Sequence, residues 1–487
     1  MEVKILDTTL RDGEQTPGVS LSPKDKLDLA KAIDSLGIDF MEAGSACTSP
    51  GEAKSIKLIA NEGLSCKVFS FSRVTEKDVD LCRSCDVDGL FLVAPTSEEH
   101  IKYKLKSTPE DFLAHLDKTV DYARDYGLYI DLCCEDGSRT EIDYMKKIID
   151  VLGDRIDRFT IADTVGASTP EKMAGFFTEL CAYKKMSYGV HCHDDVGMAV
   201  ANTVASIRAG ADTADVTING LGERAGNAPI EEVVASLELL YGYKTNINTE
   251  KIYEVSRLVE DLMGVPVQPN KALVGKNSFR HESGIHVDGL LKHAGTYEFV
   301  KPEYVGRKKI FGFGKHVGGK GLKAILDALK IEVTEEEFMA VFNEIKRMGD
   351  SGKSVTDADL LAIVRTVKGA GGNEFLKLKD LKISSGTNVK PSATVVVEIN
   401  GKEATESAEG NGPVNAAISA IMNAVGDKTI SLEEYHVDAI TGGTDANVSV
   451  TVRMKSEDKV ITASGVDCDI ITASVEAIIS GINGLKS

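Results

Sequence analysis

Residues 2–15 read EVKILDTTLRDGEQ, and this stretch sets the pattern that decides the fold. Its largely apolar run Val3–Leu6 predicts a short strand. Three acidic residues and Arg11 crowd the exit of this strand, next to Gly13. Arg11 suits two-point capture of a substrate carboxylate, whereas Asp12 suits a metal ion. The stretch therefore predicts a strand that delivers functional side chains at its C-terminal end.

The same pattern, a short apolar run and then charged side chains, recurs through the first half of the chain. The predicted strands are Val3–Leu6, Phe40–Ala43, Val68–Phe71, Leu90–Val93, Tyr129–Cys133, Phe159–Ala162, Tyr188–His191 and Val216–Asn219. Helical periodicity separates them, for example over Pro23–Leu36, Pro109–Tyr126 and Thr140–Leu152. Eight such units predict an α/β fold, the (β/α)8 TIM barrel. An open, doubly wound sheet is the competing architecture, but it would leave some strand ends far from the others.

Residues suited to catalysis or metal binding lie just after these predicted strands. They are Arg11 and Asp12, Glu42, Glu135 and Asp136, Asp163 and Thr164, His191–Asp194 (HCHD), and Glu223 and Arg224. A barrel gathers all of these ends on one face. His191 and His193 are two residues apart, so both side chains point one way and could share a divalent ion, although a structural pair would have the same spacing. The glycine-rich turn Asn219–Asn227 could bring Asn227 to that ion or could be a helix cap.

The second half of the chain has a different pattern. After about Lys251 the strands give way to predicted helices, and Gly369–Gly372 is a predicted linker. The tail contains an internal duplication: ATVVVEI from Ala393 matches VSVTVRM from Val448, and each copy predicts strands followed by a helix. We therefore expect three parts: a catalytic barrel over 1–265, helical linker subdomains over 266–370, and a duplicated α+β C-terminal regulatory domain over 371–487.

Composition excludes several classes of protein. The 487 residues include 56 Lys and Arg against 75 Asp and Glu, a net charge of −19. This balance disfavours nucleic-acid binding, which needs clustered cations. We expect neither a membrane span nor a targeting segment, since no apolar run is long enough for the first and no basic region precedes an apolar stretch. The nine cysteines are odd in number and scattered, which predicts a cytoplasmic protein without a disulfide framework.

Five segments together resemble the family of 2-isopropylmalate, homocitrate and citramalate synthases. They are Asp7–Gly18 (DTTLRDGEQTPG), His191–Asp194 (HCHD), Gly222–Asn227 (GERAGN), His281–Gly289 (HESGIHVDG) and Gly314–His316 (GKH). The resemblance covers essentially the whole chain. It implies a metal-dependent acyltransferase that condenses acetyl-CoA with a small 2-oxo acid. It also implies a homodimer whose C-terminal domain binds a feedback amino acid, isoleucine for a citramalate pathway or leucine for an isopropylmalate pathway.

The resemblance also implies roles for individual residues. It assigns the metal ion to Asp12, His191, His193 and Asn227. It places the 2-oxo acid against Arg11 and Thr164, with Glu135 beside it as base or orienting group. His286 and Tyr297 would approach the site from the partner subunit, and the division of base duty between Glu135 and this pair stays open. Such a mixed set of nitrogen and oxygen ligands accepts zinc, manganese or magnesium.

Two segments bear on the choice of substrate. Glu42–Ser49 (EAGSACTS) looks like the citramalate-forming members, whereas the others usually read EAGFP. The apolar Leu90–Ser97 (LFLVAPTS) suits the methyl group of pyruvate and disfavours the distal carboxylate of 2-oxoglutarate. We therefore expect (R)-citramalate from acetyl-CoA and pyruvate, with 2-isopropylmalate from 2-oxoisovalerate as the alternative. Phe91, where relatives often carry His, and Cys133–Gly137 (CCEDG) depart from the usual pattern and leave this choice open. A metal-dependent lyase on the same barrel is less favoured, since it should lack the helical segment and the duplicated tail.

Overall fold

The computed structural model divides the chain into two compact units, residues 1–279 with 300–309, and residues 280–299 with 310–487. The structure describes residues 2–281, 286, 289–290, 292–307, 310–311, 318–329, 331–350, 355–368, 374–439, 448–457 and 459–486. Within these ranges, the helices are all too short or too polar to cross a membrane.

The first unit is built on a closed barrel of eight parallel strands, paired in chain order. The strands are β1 (Lys4–Asp7), β2 (Phe40–Glu42), β3 (Lys67–Arg73), β4 (Gly89–Pro95), β5 (Tyr129–Glu135), β6 (Arg158–Asp163), β7 (Tyr188–Cys192) and β8 (Thr213–Val216). The barrel closes where β8 pairs with β1, with Asp215 opposite Leu6. This closure confirms the predicted TIM barrel and rules out the open sheet.

Helices connect the strands and cover the barrel. They are α1 (Pro23–Asp34), α2 (Pro50–Ala60), α3 (Glu76–Ser84), α4 (Pro109–Arg124), α5 (Ile142–Leu152), α6 (Pro170–Tyr183), α7 (Ala199–Arg208), α8 (Ile230–Ala235) and α9 (Ile252–Met263). A serine or threonine before proline starts α1, α2, α4 and α6. In each case the hydroxyl accepts a backbone N–H of the first turn, and the proline occupies a position that needs no N–H donor. These local signals explain why the predicted starts at Pro23 and Pro109 were accurate, whereas the predicted start at Thr140 lies two residues before α5.

The eighth strand begins and ends earlier than predicted. The prediction of Val216–Asn219 was wrong, because β8 spans Thr213–Val216 and residues 218–220 form a 3-10 turn. Asn219 has φ 61°, a left-handed conformation that a strand cannot continue. The β-branched residues at 216–218 attracted the prediction, whereas the true strand includes the buried Asp215.

The inside of the barrel contains both apolar and charged layers. Apolar side chains from six strands form one cluster: Leu6, Phe40, Phe69, Phe91, Cys133 and Ala162. The fully buried Arg158 lies against the Phe40 ring, with its guanidinium carbon 4.4 Å from the ring centroid. Its Nε donates to Asp131 Oδ2 at 2.8 Å. Arg158 and Asp131 thus enter the barrel core as a compensating pair.

The second unit begins with a segment that the sequence predicts as helical. Its longer helices are α10 (Gly319–Ala328), α11 (Glu335–Asp350) and α12 (Asp357–Val367). The prediction missed one short parallel pair, β9 (Arg280–His281) with β10 (Ile310–Phe311). The predicted linker Gly369–Gly372 and the segment Gly314–His316 lie outside the described residues.

The C-terminal part of the second unit confirms the internal duplication. The first copy is β11 (Leu376–Gly386), β12 (Val389–Ile399), β13 (Lys402–Glu409) and α13 (Pro413–Val425). The second copy is β14 (Ile430–Ala439), β15 (Val448–Ser456), β16 (Lys459–Asp467) and α14 (Ile470–Leu485). Each set of three strands forms an antiparallel sheet, and the matching sequences ATVVVEI and VSVTVRM lie in the two central strands. Apolar side chains of both sheets and both helices share one core.

Candidate active site

A cavity of about 820 Å³ lies at the C-terminal ends of the barrel strands. Six of the predicted site residues line it: Arg11, Asp12, Glu135, Thr164, His191 and His193. They come from the exits of β1, β5, β6 and β7, so residues far apart in sequence meet at one face of the barrel.

Asp12, His191 and His193 form one cluster in this cavity. Their donor atoms all lie within 4.8 Å of one another. His191 Nε2 is 3.2 Å and His193 Nε2 is 3.8 Å from the same oxygen, Asp12 Oδ2. All three residues are buried. The two-residue spacing of the histidines brings this about, because alternate residues of an extended segment point to the same side.

Asn227 lies beside the cluster because its backbone pairs with that of His193 in an isolated antiparallel bridge. Its side-chain Nδ2 donates to Leu221 O at 3.1 Å. Within the described part of the chain, the buried Asn227 Oδ1 accepts no hydrogen bond. A Cβ on Gly222 would lie 2.2 Å from Asn227 Nδ2, so the glycine is what lets the amide occupy this position. A carboxylate, two imidazoles and an unpaired amide oxygen fit a divalent ion.

The charges of the cluster follow from its burial and its neighbours. Burial alone would raise the pKa of Asp12, but Arg11 and the two imidazoles hold it well below its usual range. Burial would lower the pKa of His191, but Asp12 and Asp215 raise it to about 9. Burial and the neighbouring His191 lower the pKa of His193 to about 4. Asp12 and His193 are therefore already in the ionised and neutral forms that bind metals.

Arg11 is held between carboxylates and aromatic rings. Its Nε lies 2.8 Å from Glu42 Oε2, and its Nη1 lies 3.2 Å from Asp12 Oδ2. The rings of Phe71 and Phe91 lie close to the guanidinium, each with its centroid 5.7 Å from the central carbon. The side chain is fixed in direction and presents its charge to an otherwise apolar part of the cavity wall.

Glu135 and Thr164 are tied to neighbouring loops. Lys104 Nζ donates to both carboxylate oxygens of Glu135, at 2.6 and 2.7 Å. Lys104 ends the short π-helical turn His100–Lys104 and is half exposed. Thr164 Oγ1 accepts the backbone N–H of Asp136 at 2.8 Å, which links the loops after β5 and β6.

His286 and Tyr297 belong to the second unit. Their rings contact each other there, with centroids 4.3 Å apart and planes inclined by 34°. Both side chains are exposed. The barrel cavity is in the first unit, so the part of these two residues in catalysis stays a prediction.

Lys104 and Asp215 are among the residues at the site that were not predicted. Lys104 follows no motif, and its ion pair with Glu135 appears only when the loops after β4 and β5 meet. Asp215 is buried within β8, with Oδ2 3.6 Å from His191 Nδ1. An acidic residue inside a short strand was the available signal, and the misplaced strand boundary hid it.

Sequence comparison matches each part of the chain to a known protein family. Residues 2–259 match the HMGL-like family, residues 273–353 the homocitrate synthase post-HMGL domain-like family, and residues 354–486 the LeuA allosteric (dimerisation) domain. The chain therefore belongs, within the HMGL-like barrel proteins, to the family of 2-isopropylmalate, homocitrate and citramalate synthases. It is 49% identical over 490 residues to the (R)-citramalate synthase of Methanocaldococcus jannaschii, with 100% of both chains covered. It is 45% identical to the 2-isopropylmalate synthase of the same organism, with 99% of this chain and 94% of the relative covered.

A solved structure supports the barrel assignment independently. The hydroxymethylglutaryl-CoA lyase of Pseudomonas aeruginosa superposes with a TM-score of 0.50 at 18% identity, covering 55% of this chain and 94% of that one. At this identity the similarity shows the fold alone.

Proposed function

We propose that this protein is an acyltransferase that condenses acetyl-CoA with pyruvate and water to give (R)-citramalate and CoA. The observation that carries the proposal is the cluster of Asp12, His191 and His193 beside Arg11, at the mouth of a barrel whose whole chain is 49% identical to an (R)-citramalate synthase. A fixed cation beside a metal-binding cluster is what recognition of a 2-oxo carboxylate requires.

The proposed metal ligands are Asp12, His191, His193 and Asn227. A divalent ion bound there would act as a Lewis acid that polarises the keto carbonyl of the 2-oxo acid. The donor set accepts zinc, manganese or magnesium, so the ion used in the cell is a matter for metal analysis.

Arg11 and Thr164 are the proposed carboxylate-binding residues. The ion pair with Glu42 and the nearby rings hold the Arg11 guanidinium in one orientation, so little conformational entropy is lost when a carboxylate binds. As the acetyl carbon attacks the keto carbon, negative charge develops on the keto oxygen. Arg11 is fixed beside the cluster where this charge develops, which favours the transition state over the ground state.

Glu135 is the proposed base or orienting group on the barrel. Its carboxylate lines the cavity, but Lys104 holds both oxygens. Glu135 can accept a proton from the acetyl methyl group most readily when Lys104 turns away, and the exposure of Lys104 allows this movement. His286 and Tyr297, acting from the partner subunit, are the proposed second group, which would activate the water that hydrolyses the thioester.

The cavity wall beside Arg11 supports a 2-oxo acid with an apolar side chain, such as pyruvate, over one with a charged side chain. Beside Arg11 it is formed by Phe71, Phe91, Val93 and Cys133. A methyl group fits such a wall, whereas a distal carboxylate buried there would lose its hydration without gaining a partner. The second candidate is 2-isopropylmalate synthesis from 2-oxoisovalerate, favoured by the 45% identity to an enzyme of that name. A lyase on this barrel is disfavoured because the chain carries the helical segment and the duplicated C-terminal domain.

The C-terminal domain is proposed to pair two subunits and to bind a feedback amino acid. The match of residues 354–486 to the LeuA allosteric (dimerisation) domain supports both roles. Isoleucine is the expected inhibitor if the product is citramalate, because an end product regulates the first committed condensation of its own pathway.

The test is identification of the product. Purified protein receives acetyl-CoA, pyruvate and a divalent ion, and the organic acids are separated on a chiral column. We expect (R)-citramalate from the wild type and from Asp88→Asn, whose carboxylate accepts the Val68 N–H at the opposite end of the barrel. We expect none from Asp12→Asn. Absence of citramalate from the wild type, or equal production by Asp12→Asn, would refute the proposal.

A further inference from the structure

Asp215 is a buried carboxylate that the residue assignments above leave without a role. It lies on β8, is 1% exposed and, within the described residues, neither of its oxygens accepts a hydrogen bond. Burying a carboxylate without donors is costly, so such a group needs a specific reason.

Its neighbour across the sheet is His191. The register of β7 and β8 places the two residues directly opposite each other, and Asp215 Oδ2 lies 3.6 Å from His191 Nδ1. The other ring nitrogen, Nε2, faces Asp12 Oδ2 at 3.2 Å. The imidazole therefore spans two carboxylates, one in the metal-binding cluster and one behind it.

The nearby Asp131 is the carboxylate to which Arg158 donates hydrogen bonds, whereas Asp215 attracts the same guanidinium through its charge. Asp131 accepts hydrogen bonds from Arg158 Nε and Nη2 and, at 2.6 Å, from Thr160 Oγ1. Arg158 Nη1 donates to Thr213 instead of Asp215. Asp131 thus accepts the hydrogen bonds of the nearby donors on Arg158 and Thr160, whereas Asp215 faces His191.

The proton on His191 explains why a carboxylate at position 215 is needed. A histidine that binds a metal through Nε2 carries its remaining proton on Nδ1, and that N–H needs an acceptor when the ring is buried. Among the described residues Nδ1 has no hydrogen-bond partner, and Asp215 Oδ2 is the carboxylate that faces it. A small rotation of either side chain brings the two atoms into hydrogen-bond range.

We propose that Asp215 is a positioning residue: it accepts the Nδ1–H of His191 and so presents Nε2 to the divalent ion. This inference rests on the proposed metal-dependent function. It goes beyond the four proposed ligands, because it assigns the orientation of one of them to a residue inside the barrel.

The test compares metal affinity in Asp215→Ala, Asp215→Asn and Asp131→Asn, using the whole protein. Asp131→Asn is the matched control, since it removes a buried carboxylate from the neighbouring interior position without touching His191. Manganese and zinc dissociation constants are measured by competition with a chelator, and cobalt spectra report the ligand geometry. Circular dichroism checks folding. We expect affinity about 10–100-fold weaker in Asp215→Ala. Asp215→Asn, which keeps an acceptor oxygen, should recover part of the loss, and Asp131→Asn should stay within about threefold of the wild type.

The outcomes separate this inference from the function on which it rests. A wild type that binds no divalent ion overturns the proposed function itself. A wild type that binds tightly, with Asp215→Ala equal to it, overturns only the role of Asp215. Equal weakening in Asp215→Ala and Asp131→Asn also overturns it, because the effect would then come from the charge balance of the core. If Asp215→Ala does not fold, Asp215→Leu, which fills the space without an acceptor oxygen, decides: wild-type affinity with an unchanged cobalt spectrum refutes the inference.

Discussion

Replacing Arg11 by lysine tests how the 2-oxo acid is recognised. The substitution keeps the positive charge but removes the planar, two-point donor that fits a carboxylate. It also removes the contacts of the guanidinium with the Phe71 and Phe91 rings and its 2.8 Å ion pair with Glu42. We therefore expect Arg11→Lys to weaken pyruvate recognition specifically.

The size of the effect follows from these contacts. One lost charge-assisted hydrogen bond is worth about 1.5–3 kcal/mol. The lost contact with two rings, each 5.7 Å away, adds about 1 kcal/mol. At about 1.4 kcal/mol for each factor of ten, the sum predicts that kcat/KM for pyruvate falls roughly 10²- to 10³-fold.

The assay is CoA release at fixed metal concentration, with pyruvate and acetyl-CoA varied in turn. The KM for acetyl-CoA should change less than about threefold, because the proposed role of Arg11 is to bind the other substrate. Arg155→Lys is the matched control: Arg155 lies between α5 and β6 and pairs with Asp117 and Asp121 outside the cavity. Its kinetics should match the wild type.

Three results would refute the reasoning. They are a loss below tenfold in kcat/KM for pyruvate, an equal loss in Arg155→Lys, and a loss confined to the KM for acetyl-CoA. Each would mean that Arg11 does not bind the 2-oxo carboxylate.

The remaining predictions concern the pocket, the barrel core and the C-terminal domain. Phe91→Leu should raise the kcat/KM ratio of 2-oxoisovalerate to pyruvate about tenfold, since room for two methyl groups is worth about 0.8 kcal/mol each. An unchanged ratio would show that Phe91 does not limit the substrate. Burial raises the pKa of Glu231 to about 7 from 4.5, so the folded state holds this proton where the unfolded state has lost it. Stability from this group is therefore present below pH 4.5 and is lost as pH rises to 7. In the wild type the free energy of unfolding should fall between pH 5 and pH 8, and Glu231→Gln should remove up to about 3 kcal/mol of this fall. Urea unfolding at each pH measures it, and parallel curves for the two proteins would contradict the prediction. A chain that ends at Lys368 should lose inhibition by isoleucine or leucine but keep measurable turnover, and retained inhibition would place the feedback site elsewhere.

The barrel could be predicted from sequence because its signals are local. Each strand is a short apolar run, and the Ser-Pro and Thr-Pro pairs before α1, α2, α4 and α6 mark helix starts within two residues. The closeness of His191 and His193 follows from their spacing alone. That Asp12 lies near the two histidines could be predicted only from the fold, and the eight strand–helix units predicted that fold.

The missed features depend on contacts between distant segments. The bond from Lys104 to Glu135 joins loops 31 residues apart and leaves no mark in either local sequence. The β9–β10 pair joins Arg280–His281 to Ile310–Phe311, and two-residue strands are too short to show alternation. Asp215 was missed because a polar residue in a sequence usually signals a loop, whereas this one lies within a strand and faces His191.

The most direct test of the account is the competition between pyruvate and 2-oxoisovalerate as acceptors. CoA release from acetyl-CoA is measured with each acid, with 2-oxoglutarate as a third, in the presence of a divalent ion and after its removal with a chelator. The account predicts the highest kcat/KM for pyruvate, little activity with 2-oxoglutarate, and no release without the ion. A higher kcat/KM for 2-oxoisovalerate would make the protein an isopropylmalate-forming enzyme, and release that persists without the ion would contradict the role given to Asp12, His191 and His193.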